Sequence, residues 1–399
     1  MSKLEELLQG VDVEWKTLKK YVKLEKGKQL NKEFLLLEGK YPAYNGGITY
    51  SGFTDKYNYD ENKIIISQGG ASAGFVNFIT SKFYANAHCY VVLPNFELVD
   101  NKYIYYLLKQ KQGNLTNKQH GAGIPALKTS EILQIRIPIP CPDNPEKSLE
   151  IQQEIVRVLD ELTSLSNQLT TELETERQNR KKQFEFFRTA YLNNQDNEIK
   201  WLKLGNLGKF TYGLAASASD FGNTRFVRIS DINAKGKLIK EDIKYVNLSD
   251  DNKKYLLKKN DLLMARTGAT FGKTMIFDED YDAIYAGFLI KLDLDKNSIL
   301  PKYYWHFAQS ELFWEQANKL VNGGGQPQFN ANTLKNVQVP IPFFNNPEKS
   351  LEEQERIVKL LDQFDATHTA IEEEITKEIK LRTQQYEYYR EKLLSFPQN

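Results

Sequence analysis

Two stretches of the chain repeat apolar positions at helical spacing. Ile155, Val158, Leu162, Leu165 and Leu169 advance in steps of three and four residues, and Ile357, Leu360, Phe364, Thr367 and Ile371 follow the same rhythm. Such steps return to one face of an α-helix and form the seam of a coiled coil. No glycine or proline interrupts residues 148–192 or 350–395, so each stretch reads as one helix of about 67 Å at 1.5 Å per residue. Ser148 and Ser350 stand at the expected N-caps. A helix that long cannot bury its seam in one small domain. Two equivalent seams in one chain meet at high effective concentration, so they are expected to pair with each other.

The pattern is part of a longer repeat. "IPIPCPDNPEKSLEIQQEIVRVLDEL" (137–162) recurs as "VPIPFFNNPEKSLEEQERIVKLLDQF" (339–364), with 15 of 26 positions identical. "VEWKTL" (13–18) answers "IKWLKL" (199–204), and "GAGIPAL" (121–127) answers "GGGQPQF" (323–329). The chain therefore divides into a globular domain (1–147), a long helix (148–197), a second globular domain (198–349) and a second long helix (350–399). The second globular half is longer by roughly 16 residues, an ordinary size for loop insertions.

The repeat bears on the stretch "MARTGATFGKT" (264–274), which looks like a phosphate-binding P-loop. That motif needs four residues between its glycines and a helix after its lysine. Gly268 and Gly272 are separated by three, and "TMIFDED" reads as a strand. The matching segment of the first half keeps Gly70 and Gly74 but has Phe75 in place of Lys273. Three readings remain: an ATP site, a tight turn between strands, or a loop that brings backbone and variable polar side chains close to a surface. Glycine permits such an approach. Arg266 in one half and Gln68 in the other differ as two base readers would, since Arg suits guanine and Gln suits adenine.

Composition narrows the class. The amino terminus lacks the apolar run of a signal peptide and no segment is long enough to cross a membrane, which predicts a cytoplasmic protein. Two cysteines make no disulfide framework. The net charge of +1 neither demands nor excludes a polyanionic partner. His88 and Cys89 read as ordinary interior residues, no metal site is expected, and no catalytic grouping stands out.

The duplicated "NPEKSLE.Q..IV..LD", the "PIP" leads, the "ARTGAT.GK" loop and the "YPAYNGG" stretch (41–47) resemble the specificity subunits of type I DNA restriction–modification enzymes, over essentially the whole chain. The resemblance implies mixed α/β recognition domains, each reading half of a split DNA site, in a tandem pseudo-twofold repeat joined by a long antiparallel coiled coil. It implies a non-catalytic subunit that binds double-stranded DNA, two adenine-methylating modification subunits and the translocating restriction subunits. S-adenosylmethionine, ATP and magnesium would then sit on those partners. A coiled-coil scaffold that binds only proteins is the rival reading.

Three segments supply candidate contacts. The first is Tyr44, Asn45, Gly46 and Gly47, matched by Arg228, Ser230 and Asp231. The second is Ser67, Gln68, Gly70 and Ser72, matched by Arg266, Thr267, Thr270 and Lys273. The third is Lys118, Gln119 and His120, matched by Gln326 and Gln328. A turn role for Asn45 is equally open. The basic "ERQNRKK" (176–182) reads as a solvated helix face.

Overall fold

The computed structural model describes residues 3–117, 126–194, 196, 198–321 and 329–396. It forms two compact units: Met1–Glu172 with Lys377–Asn399, and Leu173–Thr376. These boundaries differ from a simple alternation of domain and helix, because each long helix contributes to both units.

The two units repeat one topology. In the first, a four-stranded antiparallel sheet has the order Val22–Lys26, Cys89–Pro94, Lys63–Ser67, Val76–Ile79. A three-stranded sheet has the order Gly52–Thr54, Tyr41–Tyr44, Tyr84–Ala85. The second unit repeats the first order with Gly208–Tyr212, Leu289–Leu294, Asp261–Ala265 and Thr274–Phe277. It repeats the second with Tyr245–Val246, Thr224–Val227 and Ala283–Tyr285. A two-stranded ribbon closes each domain, Val13–Thr17 with Arg136–Pro140 and Lys200–Lys203 with Gln338–Ile341.

Strands Lys63–Ser67 and Asp261–Ala265 each carry a run of consecutive apolar residues, and the packing shows why. Successive side chains of a strand face opposite ways. Ile64 and Ile66 enter the core shared with helix Asn101–Gln110, while Ile65 enters a smaller core with Phe83 and Cys89. In the second unit Leu262 and Met264 face the larger core, and Leu263 and Ala265 the smaller. A strand covered on both faces cannot alternate with polar residues.

The long helices span Pro145–Leu192 and Pro347–Leu394, starting three residues before the expected points. The caps are Asn144 and Asn346, not the serines. Asn144 Oδ1 accepts from the Lys147 amide at 3.1 Å, and Asn346 Oδ1 from the Lys349 amide at 3.1 Å. Proline then occupies the first helical position, where a missing N–H costs nothing. Ser148 and Ser350 are buried in the first turn and accept from Gln152 and Gln354. Those glutamines in turn accept from the amides of Asp100 and Leu300, where the domain helices begin.

The seam is revised at several positions. Ile155 with Leu159, and Ile357 with Leu361, are buried in the globular cores. Val158, Leu162 and Leu360 are half-buried, Leu165 is 54% exposed and Thr367 is exposed. The first turns serve a domain rather than a partner helix, so their buried stripe follows four-residue steps. Further along, the helices do pair. In the first unit Thr163 Oγ1 meets the Tyr386 hydroxyl at 3.0 Å. In the second, Phe184 stacks on His368 and Phe187 on Phe364, at 5.2 and 5.3 Å between ring centres. These pairings run in opposite directions along the two helices, so the association is antiparallel.

Each domain is also fastened to a long helix by a shared carboxylate. Asp160 accepts from Lys102 Nζ at 2.6 Å and from the Tyr106 hydroxyl at 2.7 Å. Its counterpart Asp362 pairs with Lys302 at 2.7 Å and with His306 Nε2 at 3.0 Å.

Candidate nucleic-acid interface

The predicted segments converge at one edge of each unit. In the first, strand Tyr41–Tyr44 ends in a turn whose left-handed residue is Gly46, φ 79°. Asn45 beside it is exposed. The Gly46 amide donates to Cys89 Sγ at 3.2 Å, and a Cβ there would lie 2.9 Å from the His88 carbonyl. The glycine loop sits against the same turn. The Gln68 amide donates to the His88 carbonyl at 2.8 Å, and Ser67 Oγ to the Gly47 carbonyl at 3.3 Å. The third segment enters through Leu127, whose amide donates to the Gln68 carbonyl at 2.8 Å.

The second unit builds the same frame. The Arg266 amide donates to the Phe288 carbonyl at 3.1 Å, and the Phe329 amide to the Arg266 carbonyl at 2.8 Å. The Ala286 amide meets the Val227 carbonyl at 2.9 Å, as the Asn86 amide meets that of Tyr44 at 2.8 Å. Gly268 and Gly272 have φ of 67° and 77°, and Gly70 and Gly74 have 77° and 89°. Both loops therefore trace the same path, which only glycine follows without strain. Thr274–Phe277 is a strand. The helix that a P-loop requires is replaced by a strand, so the phosphate-cradle reading of this loop falls.

The side chains on this frame sort into two groups. Several candidates are turned inward. Ser67 is buried, and its hydroxyl is used on Gly47. Thr270 donates its hydroxyl to the Thr267 carbonyl at 3.2 Å. Asp231 is buried and accepts from the Arg228 amide at 2.8 Å, from Arg228 Nη2 at 2.7 Å and from Ser230 Oγ at 3.2 Å. Arg228 also reaches the Asp242 carbonyl at 2.9 Å. Arg228, Ser230 and Asp231 thus lock a turn, with Ser230 at its exposed face.

The others face outward. Asn45 is exposed; Tyr44, Gln68, Ser72, Thr267, Arg266 and Lys273 are half-buried. Tyr44 packs edge-on against Phe83 and Tyr50. The Lys273 ammonium has no hydrogen-bond or ion-pair partner among the described residues. Lys118, Gln119, His120, Gln326 and Gln328 lie outside the described residues.

Sequence reasoning missed three side chains at this edge. His88 is exposed rather than interior, while Cys89 is buried and its thiol is pushed up to about 11 by burial. Phe288 occupies the position of His88 in the repeat and is 56% exposed. Tyr212 ends the strand beside it and is also exposed. Extending the alignment of the two halves past the glycine loop would have paired His88 with Phe288 and marked a variable, outward position.

Among the described residues no helix is long and apolar enough to cross a membrane and no cluster of potential metal ligands occurs.

The type I restriction modification DNA specificity domain matches the chain twice, over residues 10–176 and 190–381. The EcoR124I/EcoR124II specificity subunit of Escherichia coli is 30% identical, covering 100% of this chain and 98% of its own. A putative type I restriction enzyme specificity subunit of Haemophilus influenzae is also 30% identical, covering 98% of each. A solved chain from a study of type I restriction–modification complex assembly shares the fold, with a TM-score of 0.71 over 96% of this chain and 97% of its own at 12% identity. The chain belongs to the type I restriction–modification DNA specificity family.

Proposed function

We propose that each unit reads one half of a bipartite double-stranded DNA site, through the edge formed by residues 44–47, 67–72 and 126–127 or by its counterpart in the second unit. The observation that carries this reading is a constant frame with changing side chains. The same backbone bonds recur in both units, yet Gln68 is replaced by Arg266, His88 by Phe288 and Phe75 by Lys273. Base identity is read by side chains, while backbone geometry only positions them. A scaffold that binds only proteins would have no need for two copies of one edge with different polar groups.

On this reading the chain directs other subunits and does no chemistry itself. Two adenine-methylating modification subunits, and restriction subunits where present, would bind along the helices. S-adenosylmethionine, ATP and magnesium would be used by those partners in the cytoplasm.

The test is to express the full chain with its cognate modification subunit and map methylated adenines. The expected result is a motif of two specific stretches separated by a fixed unread gap. A single continuous motif, or methylation unchanged when the chain is omitted, would refute the proposal.

A further inference from the structure

Among the described arginines, Arg266 alone lies within reach of two aromatic rings, while Arg188, Arg225 and Arg390 each lie near one. Arg157, Arg177, Arg180, Arg356 and Arg382 pair with carboxylates on their own helices, and Arg228 pairs with Asp231. Arg266 has no carboxylate partner among the described residues. Its guanidinium instead lies near two aromatic rings, 5.1 Å from the centre of Tyr212 and 5.5 Å from that of Phe288. Nε donates to the Gly287 carbonyl at 3.1 Å. Neither Nη atom has a hydrogen-bond partner among the described residues.

The supports are themselves fixed. The Tyr212 hydroxyl accepts from the Ala331 amide at 3.1 Å. The Phe288 carbonyl accepts from the Arg266 amide, and the Arg266 carbonyl accepts from Phe329. Both rings are partly exposed, 42% for Tyr212 and 56% for Phe288. Cation–π contact with two rings and one hydrogen bond at Nε restrict the side chain while leaving its end open. An end-on guanidinium presents two parallel N–H donors. That matches the two acceptors O6 and N7 of guanine in the major groove.

The arrangement is confined to the second unit. At the three matching positions the first unit has Lys26, Gln68 and His88, so no arginine stands between rings there.

We infer that Arg266 is a specificity-determining residue that reads a guanine in the half-site of the second unit, with Tyr212 and Phe288 as its positioning residues. This rests on the proposed DNA reading above. The two ring contacts and the Nε bond restrain the fork before DNA arrives, which lowers the ordering cost of the contact. A lysine would keep the charge but lose both the fork and the Nε bond.

The experiment maps methylated adenines for the full chain with its modification subunit, in wild type and variants. The wild-type motif should contain a guanine in one half whose identity is relaxed by Arg266→Ala by about 5- to 160-fold, the equivalent of about 1–3 kcal/mol for a bidentate contact. Arg266→Lys should relax the same base. Arg266→Gln should shift its preference toward adenine. Phe288→Leu and Tyr212→Leu should weaken selection at that base alone, which a general loss of folding would not do. The other half-site serves as the internal control for folding. A bipartite wild-type motif that Arg266→Ala and Arg266→Gln leave unchanged, or that loses selection evenly in both halves, overturns this inference and leaves the proposed function standing. A wild-type chain that directs no bipartite motif overturns both.

Discussion

Glycines decide the path of the recognition loops, and the cost of replacing each can be separated. Gly70 and Gly74 are both left-handed, with φ of 77° and 89°. A Cβ on Gly70 would meet nothing within 4 Å, whereas one on Gly74 would lie 2.8 Å from the backbone of Leu115 and of Thr116. Gly70→Ala should therefore cost only the conformational strain, about 1–2 kcal/mol. Gly74→Ala should cost roughly 2–5 kcal/mol, because backbone cannot swing aside as a side chain can. Chemical unfolding of the two variants checks this, and equal destabilisation would argue against the loop geometry. The glycine pairs were legible in the sequence because the repeat preserves their spacing. The inward turn of Ser67 and Asp231 was not, since a short polar residue looks the same whether it caps a turn or faces DNA.

At the scale of elements, the repeat predicted the long helices and the strand after the glycine loop. It misplaced the helix caps and part of the seam. Asn144-Pro145 and Asn346-Pro347 were a readable start signal, but the serines three residues on competed with it. The seam failed where a globular domain, and not a second helix, covers the stripe; periodicity reports which face is apolar and not what covers it. The carboxylate fastenings were invisible in sequence, because their partners lie 54–60 residues away. They also differ in chemistry. His306 is fully buried, its Nε2 donates to Asp362, and its Nδ1 has no partner among the described residues. Burial holds its pKa below the ordinary 6.5, although Asp362 opposes this. Lys302 and Arg188 add positive charge nearby, and Asp365 negative charge. In acid the unfolded chain takes up a proton near pH 6.5 that the folded chain refuses, so stability falls as pH falls through that window. His368, also depressed by burial, adds to the same trend. His306→Tyr copies the first unit, where Tyr106 does this work without titrating near neutrality. It should reduce the loss of stability on going from pH 7 to pH 5.5, measured by chemical unfolding. An unchanged pH dependence would place its origin elsewhere.

At the scale of the whole molecule, the proposed function makes the long helices a ruler and the units separate readers. Both helices pass from one unit to the other, after Glu172 and after Thr376. Inserting four residues at each of these points adds about 400° of helical rotation, a net twist near 40°, and about 6 Å of length. One DNA base pair turns about 35°. The expected outcome is a gap longer by one base pair with both half-sites unchanged, read by mapping methylated adenines. Three-residue insertions, with about 300° of rotation, should impair methylation. An unchanged gap would show that the helices do not set it. The separateness of the readers is tested most directly by a chimera. Both domains are closed by equivalent ribbons, Val13–Thr17 with Arg136–Pro140 and Lys200–Lys203 with Gln338–Ile341. Residues 200–341 can therefore be replaced by a second copy of the equivalent residues 14–139. Co-expressed with the modification subunit, this chain should methylate a site in which the first half-site occurs twice and the original second half-site is absent. Retention of the original second half-site, or a motif containing neither half, would contradict the claim that each unit reads its own half.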